Sequence, residues 1–557
     1  MDIRRTILWM IFSFSLLLLW NNWQEYNGKP SLFATTPVAE EQANTSTTTA
    51  AADTTVPQGV ATTSSTPAMP ESTPANAESE IITVNTDVYK LGFDTVGAQL
   101  VRAELIQYAS PDENAEHMVL LDNSNFSTYV AQSGVVGAPA GQSYPTHLTP
   151  FRLVSENTDL SGQQLDIVFE ATTDQVRVIK TYTLTKGSYD IKVSHTIENQ
   201  GEQTITPSVY LQLNRDGNNP PDSSKLYRTY TGPVVYSEAD KFQKVGFSDI
   251  DKNKAKYTPS ADNGWVGMVQ HYFATAWVPA QGVERKNEIL RVANNLYAAR
   301  TIVPAGAIAA GQSQTVTANL WVGPQDQKAM ASVAKGLDLV VDYGWLTIIS
   351  KPLFTILTWL HSLIGNWGWA IVVLTFLIKL AFYPLSAASY KSMAKMKQVT
   401  PRMQAIREKY SDDKVKQNQA MMELYRNEKI NPLGGCLPML IQIPVFIALY
   451  WVLLGSVEMR GAPWILWIQD LAARDSWMIL PAIMMLTMFL QIKLNPTPPD
   501  PMQAKVMMIM PLVFGGMMFF FPAGLVLYWV VNNALSIAQQ QYINRSIAKS
   551  EAAKKAG

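Results

Sequence analysis

The sequence predicts a polytopic α-helical membrane protein of six spans, both termini cytoplasmic, that carries a large all-β domain on the outer face of the membrane. Three observations lead there. Residues 371–383 form a long apolar run with one charge, Lys379. Residues 81–324 instead alternate apolar and polar positions in short stretches bounded by Gly, Asn and Asp, the pattern of half-buried antiparallel strands in a β-sandwich. The segment 391–429 carries ten Lys or Arg against five acidic residues, whereas the loop 458–476 has only Arg460 and Arg474, an asymmetry that places the basic segment and both termini inside.

Composition excludes several classes. The 557 residues are 47% hydrophobic with a formal net charge of −1; a nucleic-acid binder needs a strong basic excess, so DNA is not expected as a partner. One cysteine, Cys436, allows no internal disulfide, and with five histidines no structural zinc is expected. No Walker A pattern occurs, so no nucleotide or other cofactor is implied.

At the N-terminus, Arg4 and Arg5 precede an apolar stretch over 6–20 of about fifteen residues, enough to span with help from Trp23. Asn21, Asn22, Trp23, Gln24 and Glu25 follow without a small-residue cleavage pattern, which favours an uncleaved anchor over 1–28 rather than a signal peptide. Residues 29–80, rich in Thr, Ala, Pro and Ser, read as a disordered tether.

Within the β domain (81–325), the runs 165–170, 176–182 and 189–197 place apolar residues at every second position. His195 and His271 are the candidate acid or base there, but neither has a paired carboxylate or nucleophile motif nearby in sequence, and each reads more readily as a packing histidine. Across 326–362, Leu337, Val340, Val341, Trp345, Ile348 and Ile349 recur at helical spacing between Lys335 and Ser350. Such a helix either lies on the outer leaflet or packs on the β domain.

The second span is assigned to 363–386, starting near Leu363 because a helix from Pro352 onward is too long for one crossing. A cytoplasmic helical hairpin follows over 387–430. Met393, Met396, Met403, Ile406 and Tyr410 share one face, Val415, Met422 and Tyr425 another, with Ser411, Asp412 and Asp413 as turn and N-cap. Its basic residues, among them Lys391, Lys395, Lys397, Arg402 and Arg407, are expected either to meet anionic lipid, ribosomal RNA or acidic polypeptide segments, or only to form a solvated face that sets topology. The remaining spans are expected at 431–457, 477–494 and 506–541, with an outer loop at 458–476, an inner loop at 495–505 and a basic tail at 542–557. The last two spans read as about sixteen residues each, near 24 Å of helix against roughly 30 Å of hydrocarbon, so they should thin the bilayer. Ten methionines between Met478 and Met518 are either ordinary apolar filler or an adaptable surface for varied helices.

The motif Asn431-Pro-Leu-Gly-Gly-Cys-Leu-Pro-Met-Leu-Ile-Gln-Ile-Pro-Val-Phe-Ile-Ala-Leu-Tyr450, with Gly455-Ser-Val-Glu458, Ala462-Pro-Trp464 and Phe521-Pro-Ala-Gly-Leu-Val-Leu-Tyr528, resembles the YidC membrane protein insertase family. The resemblance covers about 350–545, and the anchor, tether and outer domain resemble the family's Gram-negative form, whose outer domain is similar to a galactose-mutarotase supersandwich. It implies an inner-membrane protein, not an enzyme, that inserts and folds nascent membrane proteins alone or beside the Sec translocon, with a ribosome as a further expected partner. It also implies a hydrophilic groove, open to cytoplasm and lipid, that holds one cation. Lys379 falls where the family usually has arginine, which keeps the charge and loses the planar fork. Thr375 lies one turn away, Gln442 and Tyr528 match groove positions, and Trp529 falls where a second tyrosine is common. Two rival readings remain: a solute transporter, which usually shows several intramembrane polar groups in repeated halves, and a membrane-tethered periplasmic carbohydrate-active enzyme. Neither accounts for the basic hairpin.

Overall fold

The computed structural model describes residues 56–57, 79–110, 116–220, 229–411, 413–428, 437–494 and 501–556. The expected N-terminal anchor, most of the tether and Cys436 lie outside the described residues. The chain divides into two units, 1–53 and 54–557, and everything described below belongs to the second.

The alternating segments become long antiparallel strands. Val176–Thr185 and Asp190–Asn199 bury every second side chain, as a two-residue period on a sheet with one core-facing side requires. Two nine-stranded sheets result. One runs from Ile81–Asn85 at its edge through Thr128–Val136, Ser208–Asp216 and Leu296–Pro304; the other carries Gly232–Ser237, Trp265–Gln270, Phe273–Pro279, Ser313–Pro324 and Gln164–Thr173. They share one core, to which the first contributes Phe93, Val209 and Leu211 and the second Ile167, Val178, Val193 and Leu320. His195 sits inside that core with no exposed surface, its Nε2 bonded to Ser133 Oγ at 2.8 Å. Closed off in this way, it is a packing histidine.

Strands such as Trp265–Gln270 and Phe273–Pro279 are buried on both faces, because a second apolar layer covers the sheet's far side. Leu337, Val340 and Val341 pack there with Val234, Tyr236 and Trp265, and the same cluster continues into the helical region. The single helix expected between Lys335 and Ser350 does not form. Gly336 and Gly344 adopt left-handed backbone (φ +76° and +61°) and divide the segment into two short 3-10 turns, Leu337–Val340 and Gly344–Leu346. The first turn therefore packs on the β domain, and Ile348, expected on the same face, is 87% exposed.

The helices are α1 (Phe247–Asp251) and α2 (Gln327–Val333) in the β domain, then α3 (Thr347–Ile364), α4 (Trp367–Ala381), α5 (Tyr383–Lys409), α6 (Lys414–Asn427), α7 (Leu437–Gly455), α8 (Ile479–Leu494), α9 (Pro501–Met518) and α10 (Ala523–Ala556). The crossing expected over 363–386 is interrupted twice. Gly365 ends α3 in left-handed backbone (φ +74°) and Asn366 caps α4, accepting from Trp369 N at 3.1 Å. Beyond Ala381 the chain bends by 66° at Phe382, where Pro384 lacks the N–H that would continue the helix. Among the described residues α3 alone is long and apolar enough to cross a membrane by itself, and the bent pair of α4 with the first part of α5 passes the same test together. At 15 and 16 residues, α4 and α8 are about 22 and 24 Å long, short of a roughly 30 Å hydrocarbon core. The expected last span and the basic tail form one helix, α10, of 34 residues.

α5 and α6 pair as a hairpin around Val399 and Met403, with Met396, Met421, Leu424 and Tyr425 against them. Asp413 caps α6, accepting from Val415 N and Lys416 N at 3.1 and 3.0 Å. Val415 and Met422, expected inside, are 67% and 65% exposed; Met421 and Leu424 pack against Val399 and Met403 in their place.

Candidate functional site

Lys379 lies in the last turn of α4, where the carbonyl end of the helix favours a cation. Its ammonium is half-buried and donates to Ser536 Oγ at 2.7 Å and, over a long 3.5 Å, to Gln442 Oε1. The partners are linked in turn. Gln442 Nε2 donates to Asn532 Oδ1 at 2.5 Å, and Ser536 Oγ donates to the Asn532 carbonyl at 2.7 Å. Three helices, α4, α7 and α10, therefore converge on one amine, and among the described residues no carboxylate pairs with it. A buried cation held only by neutral dipoles costs desolvation that a carboxylate would offset. Beside it opens a small pocket lined by Ile378, Lys379, Phe382, Leu385, Ser386 and Gln442, with room inside for roughly one water.

Of the other candidates, Gln442 and Tyr528 are brought to this centre. Tyr528 is 2% exposed, reaches Gln442 with its hydroxyl and stacks on Phe446 at 6.1 Å. Trp529 packs edge-on against Phe446 at 4.7 Å and Phe514 at 5.2 Å. Thr375 is not part of the pocket: it is 1% exposed, and its hydroxyl donates to the Ile371 carbonyl at 2.7 Å one turn back. On the hairpin Lys391, Lys395 and Arg402 are exposed and Arg407 half-buried, while the side chain of Lys397 lies outside the described residues. Arg402 is committed to the hairpin itself through Glu428 at 2.5 Å.

Sequence reasoning missed Asn532 and Ser536. The signal was present as Asn532, Asn533, Ser536 and Gln540, polar residues at helical spacing in the last span. All four are buried, and Asn533 Nδ2 donates to Thr487 Oγ1 of α8 at 3.3 Å. The amphipathic stripe thus faces inward.

The opposite end of the bundle is bound together by backbone hydrogen bonds. Ala523 N donates to the Ala473 carbonyl at 2.7 Å and Gly524 N to the Leu471 carbonyl at 2.9 Å, seating the α9–α10 turn on the loop 458–476. Asn366 Nδ2 reaches the Pro463 carbonyl at 3.1 Å, and a Cβ on Gly368 would lie 2.2 Å from Trp464. Laterally, α4 exposes Phe376, Leu377 and Leu380, α8 exposes Leu486, Phe489 and Leu490, and α9 exposes Met508, Ile509, Leu512, Val513 and Met517. The methionines serve both readings: Met484 and Met518 fill the core, whereas Met478, Met508, Met510 and Met517 face outward.

Known proteins share this arrangement of sequence. The family model for the YidC periplasmic domain matches residues 81–356 and that for the 60Kd inner membrane protein matches 359–551. A membrane protein insertase YidC from Bordetella petrii is 64% identical over 99% of this chain and 100% of its own length, and one from Janthinobacterium sp. (strain Marseille) is 51% identical over 98% and 99%. A crystal structure of an active YidC insertase with its first transmembrane domain resolved aligns with 83% of this chain and 92% of its own at 19% identity and a TM-score of 0.39. An all-β domain, a helical bundle converging on one cation and full-length identity of this order have one meaning: the chain belongs to the YidC family of membrane protein insertases.

Proposed function

We propose that this chain inserts and folds nascent integral membrane proteins in the inner membrane, with its all-β domain in the periplasm, through a polar recess centred on Lys379. The work is not enzymatic, since no covalent bond of the client changes. The observation that carries the reading is the convergence of α4, α7 and α10 on a half-buried ammonium with only neutral partners. Such a cation has unspent attraction for a client carboxylate.

In this reading six spans, the segment around 6–20 and α4, α7, α8, α9 and α10, put both termini and the α5–α6 hairpin in the cytoplasm, with α3 along the outer interface. A client's polar outer tail enters from the cytoplasm and exchanges part of its hydration for Lys379, Gln442, Ser536 and Tyr528, so its charges cross less than a full bilayer. The short helices α4 and α8, rather than the last two spans, supply the thinning that lowers what remains. The client's apolar helix meanwhile passes along the outward apolar faces of α4, α8 and α9 into lipid, and burial of its apolar surface drives the step. The Sec translocon, the ribosome and anionic lipid are proposed partners of the exposed hairpin bases Lys391 and Lys395.

The test is site-specific photocrosslinking from positions 379 and 528 to a stalled nascent membrane protein. Client adducts at both, lost when the client's tail is already translocated, support the recess; adducts only from lipid-facing positions such as Leu512 remove it.

A further inference from the structure

Among the described residues, the tether meets the β domain at one point ahead of its first strand. Val56 packs against Val136, Tyr210 and Ile302, and Pro57 beside it is buried. These three residues lie on one face of three adjacent strands. Tyr210 pairs with Ile302 on one side and Gly134 on the other, and Ser208, two residues from Tyr210, pairs with Val136. Their neighbours Val135, Val209 and Leu211 point the other way, into the sandwich core. The patch is therefore a second apolar site, separate from the fold's own core.

Its shape is built in. Gly134 lets the Tyr210 ring lie across the neighbouring strand, since a Cβ there would lie 2.7 Å from the Tyr210 hydroxyl. His147 fixes that ring from the far side, its backbone N donating to the hydroxyl at 2.9 Å. On the next rung Gln132, Gln212 and Arg300 bond to one another, with Gln212 Nε2 to Gln132 Oε1 at 2.9 Å and Arg300 Nη1 to Gln212 Oε1 at 3.3 Å. That polar rung bounds the patch on one side.

We propose that this face of the periplasmic sandwich is a docking site for a Val-Pro pair, and that its occupant is the chain's own Val56 and Pro57. Valine before proline is held in extended backbone, and proline presents no N–H to desolvate, so the pair loses little freedom and leaves no donor unpaired when it seats. The consequence is a shorter leash. Fully extended, the path from residue 28 to residue 56 reaches at most about 100 Å, whereas a path that first met the sandwich at residue 81 would reach roughly 190 Å. Docking at Val56 thus roughly halves the distance that the first span and the β domain can separate.

The experiment uses the full-length chain in membranes with Cys436→Ser and one introduced thiol. Maleimide labelling of Ile302→Cys is expected to be slow with the native tether and at least ten-fold faster with Val56→Asp, a tether substitution that touches no strand. Ala299→Cys, on the same strand but facing the core, is expected to stay slow in both. If Ile302→Cys compromises folding, Val136→Cys gives the same comparison. An unchanged rate at the patch, or an equal rise at Ala299→Cys, overturns the proposal. In a second measurement, Val56→Cys with Val136→Cys should form a disulfide on mild oxidation where Ser64→Cys with Val136→Cys does not; equal yields likewise overturn it.

Discussion

Lys379 and Lys180 show how burial gives one residue type two different tasks. Lys379 keeps a hydroxyl and an amide as its partners at the C-terminal end of α4, and in the proposed function its charge is what a client tail would use. Lys379→Ala should cut insertion of clients with charged outer tails roughly ten-fold, the worth of one hydrogen bond to a charged group, while Lys379→Arg should retain it; equal activity of all three in a protease-protection assay would remove the role. Lys180 is fully enclosed in the β domain, donates to the Gly97 and Ser133 carbonyls at 2.7 and 3.0 Å and lies over the Phe151 ring. Burial pushes its amine down to about 7. Between that value and the ordinary lysine value near 10.5, the unfolded chain holds a proton the folded one lacks, so stability rises with pH across the window and is flat below it. Thermal melts of the full chain from pH 7 to 9.5 should show this upward slope, amounting to a few kcal/mol at most, and Lys180→Met should flatten it.

At the scale of elements, the ends of helices do more than their middles. Asp475 accepts from Trp477 N at 3.0 Å, Leu480 N at 2.7 Å and Trp467 Nε1 at 3.0 Å, so one buried carboxylate begins α8 and holds the loop 458–476 to it. Asp475→Ala should cost about 1–2 kcal/mol, as loss of a helix N-cap does, and should make 460–476 more sensitive to protease added from the periplasmic side. The same logic explains which helices were legible. The strands around 165–197 and the α5–α6 hairpin follow from two- and 3.6-residue periods, because those periods are local. The breaks at Gly336, Gly344 and Gly365 were less so: apolar residues recur at helical spacing from Leu337 to Ile349, and the left-handed backbone at the glycines, with Leu337 and Val340 packed on Tyr236 and Trp265, selects turns over a helix. The length of α10 was missed for a related reason. Hydropathy stops at the membrane boundary, whereas helical hydrogen bonding does not.

For the whole molecule, the joint between sandwich and bundle carries the next dependence on pH. Arg460 donates to the Ala109 carbonyl at 2.8 Å and covers the Tyr272 and Phe273 rings, and His271 Nε2 lies 3.1 Å from the Leu454 carbonyl. Glu458 sits in this joint with one carboxyl oxygen buried and unpaired, and burial, with Asp326 nearby, pushes it up to about 7. Tyr108 and Tyr343 face it as well. A carboxyl raised on docking favours the docked state while protonated. The joint should therefore be tightest near pH 4.5, loosen as pH rises towards 7, and change little above. Protection factors for backbone amide exchange over 456–460, corrected for the intrinsic rise of exchange with pH, should fall over that range in the native chain and stay level in Glu458→Gln; parallel profiles would exclude Glu458 as the group responsible.

The sequence by itself determined the division into a strand-rich domain and an apolar helical domain, the lone charge of the apolar run 371–383 and the basic hairpin, because each is written in local periodicity or composition. What surrounds Lys379 was decided only by tertiary structure. Ser536 and Asn532 lie more than a hundred residues away, and no spacing rule links them to α4 until α10 packs beside it. The same holds for Thr375, which its position beside Lys379 nominated and its own helix claimed by a backbone hydrogen bond. Contacts between distant segments depend on how the helices rotate about their axes, and that rotation is set by the packing of the whole bundle.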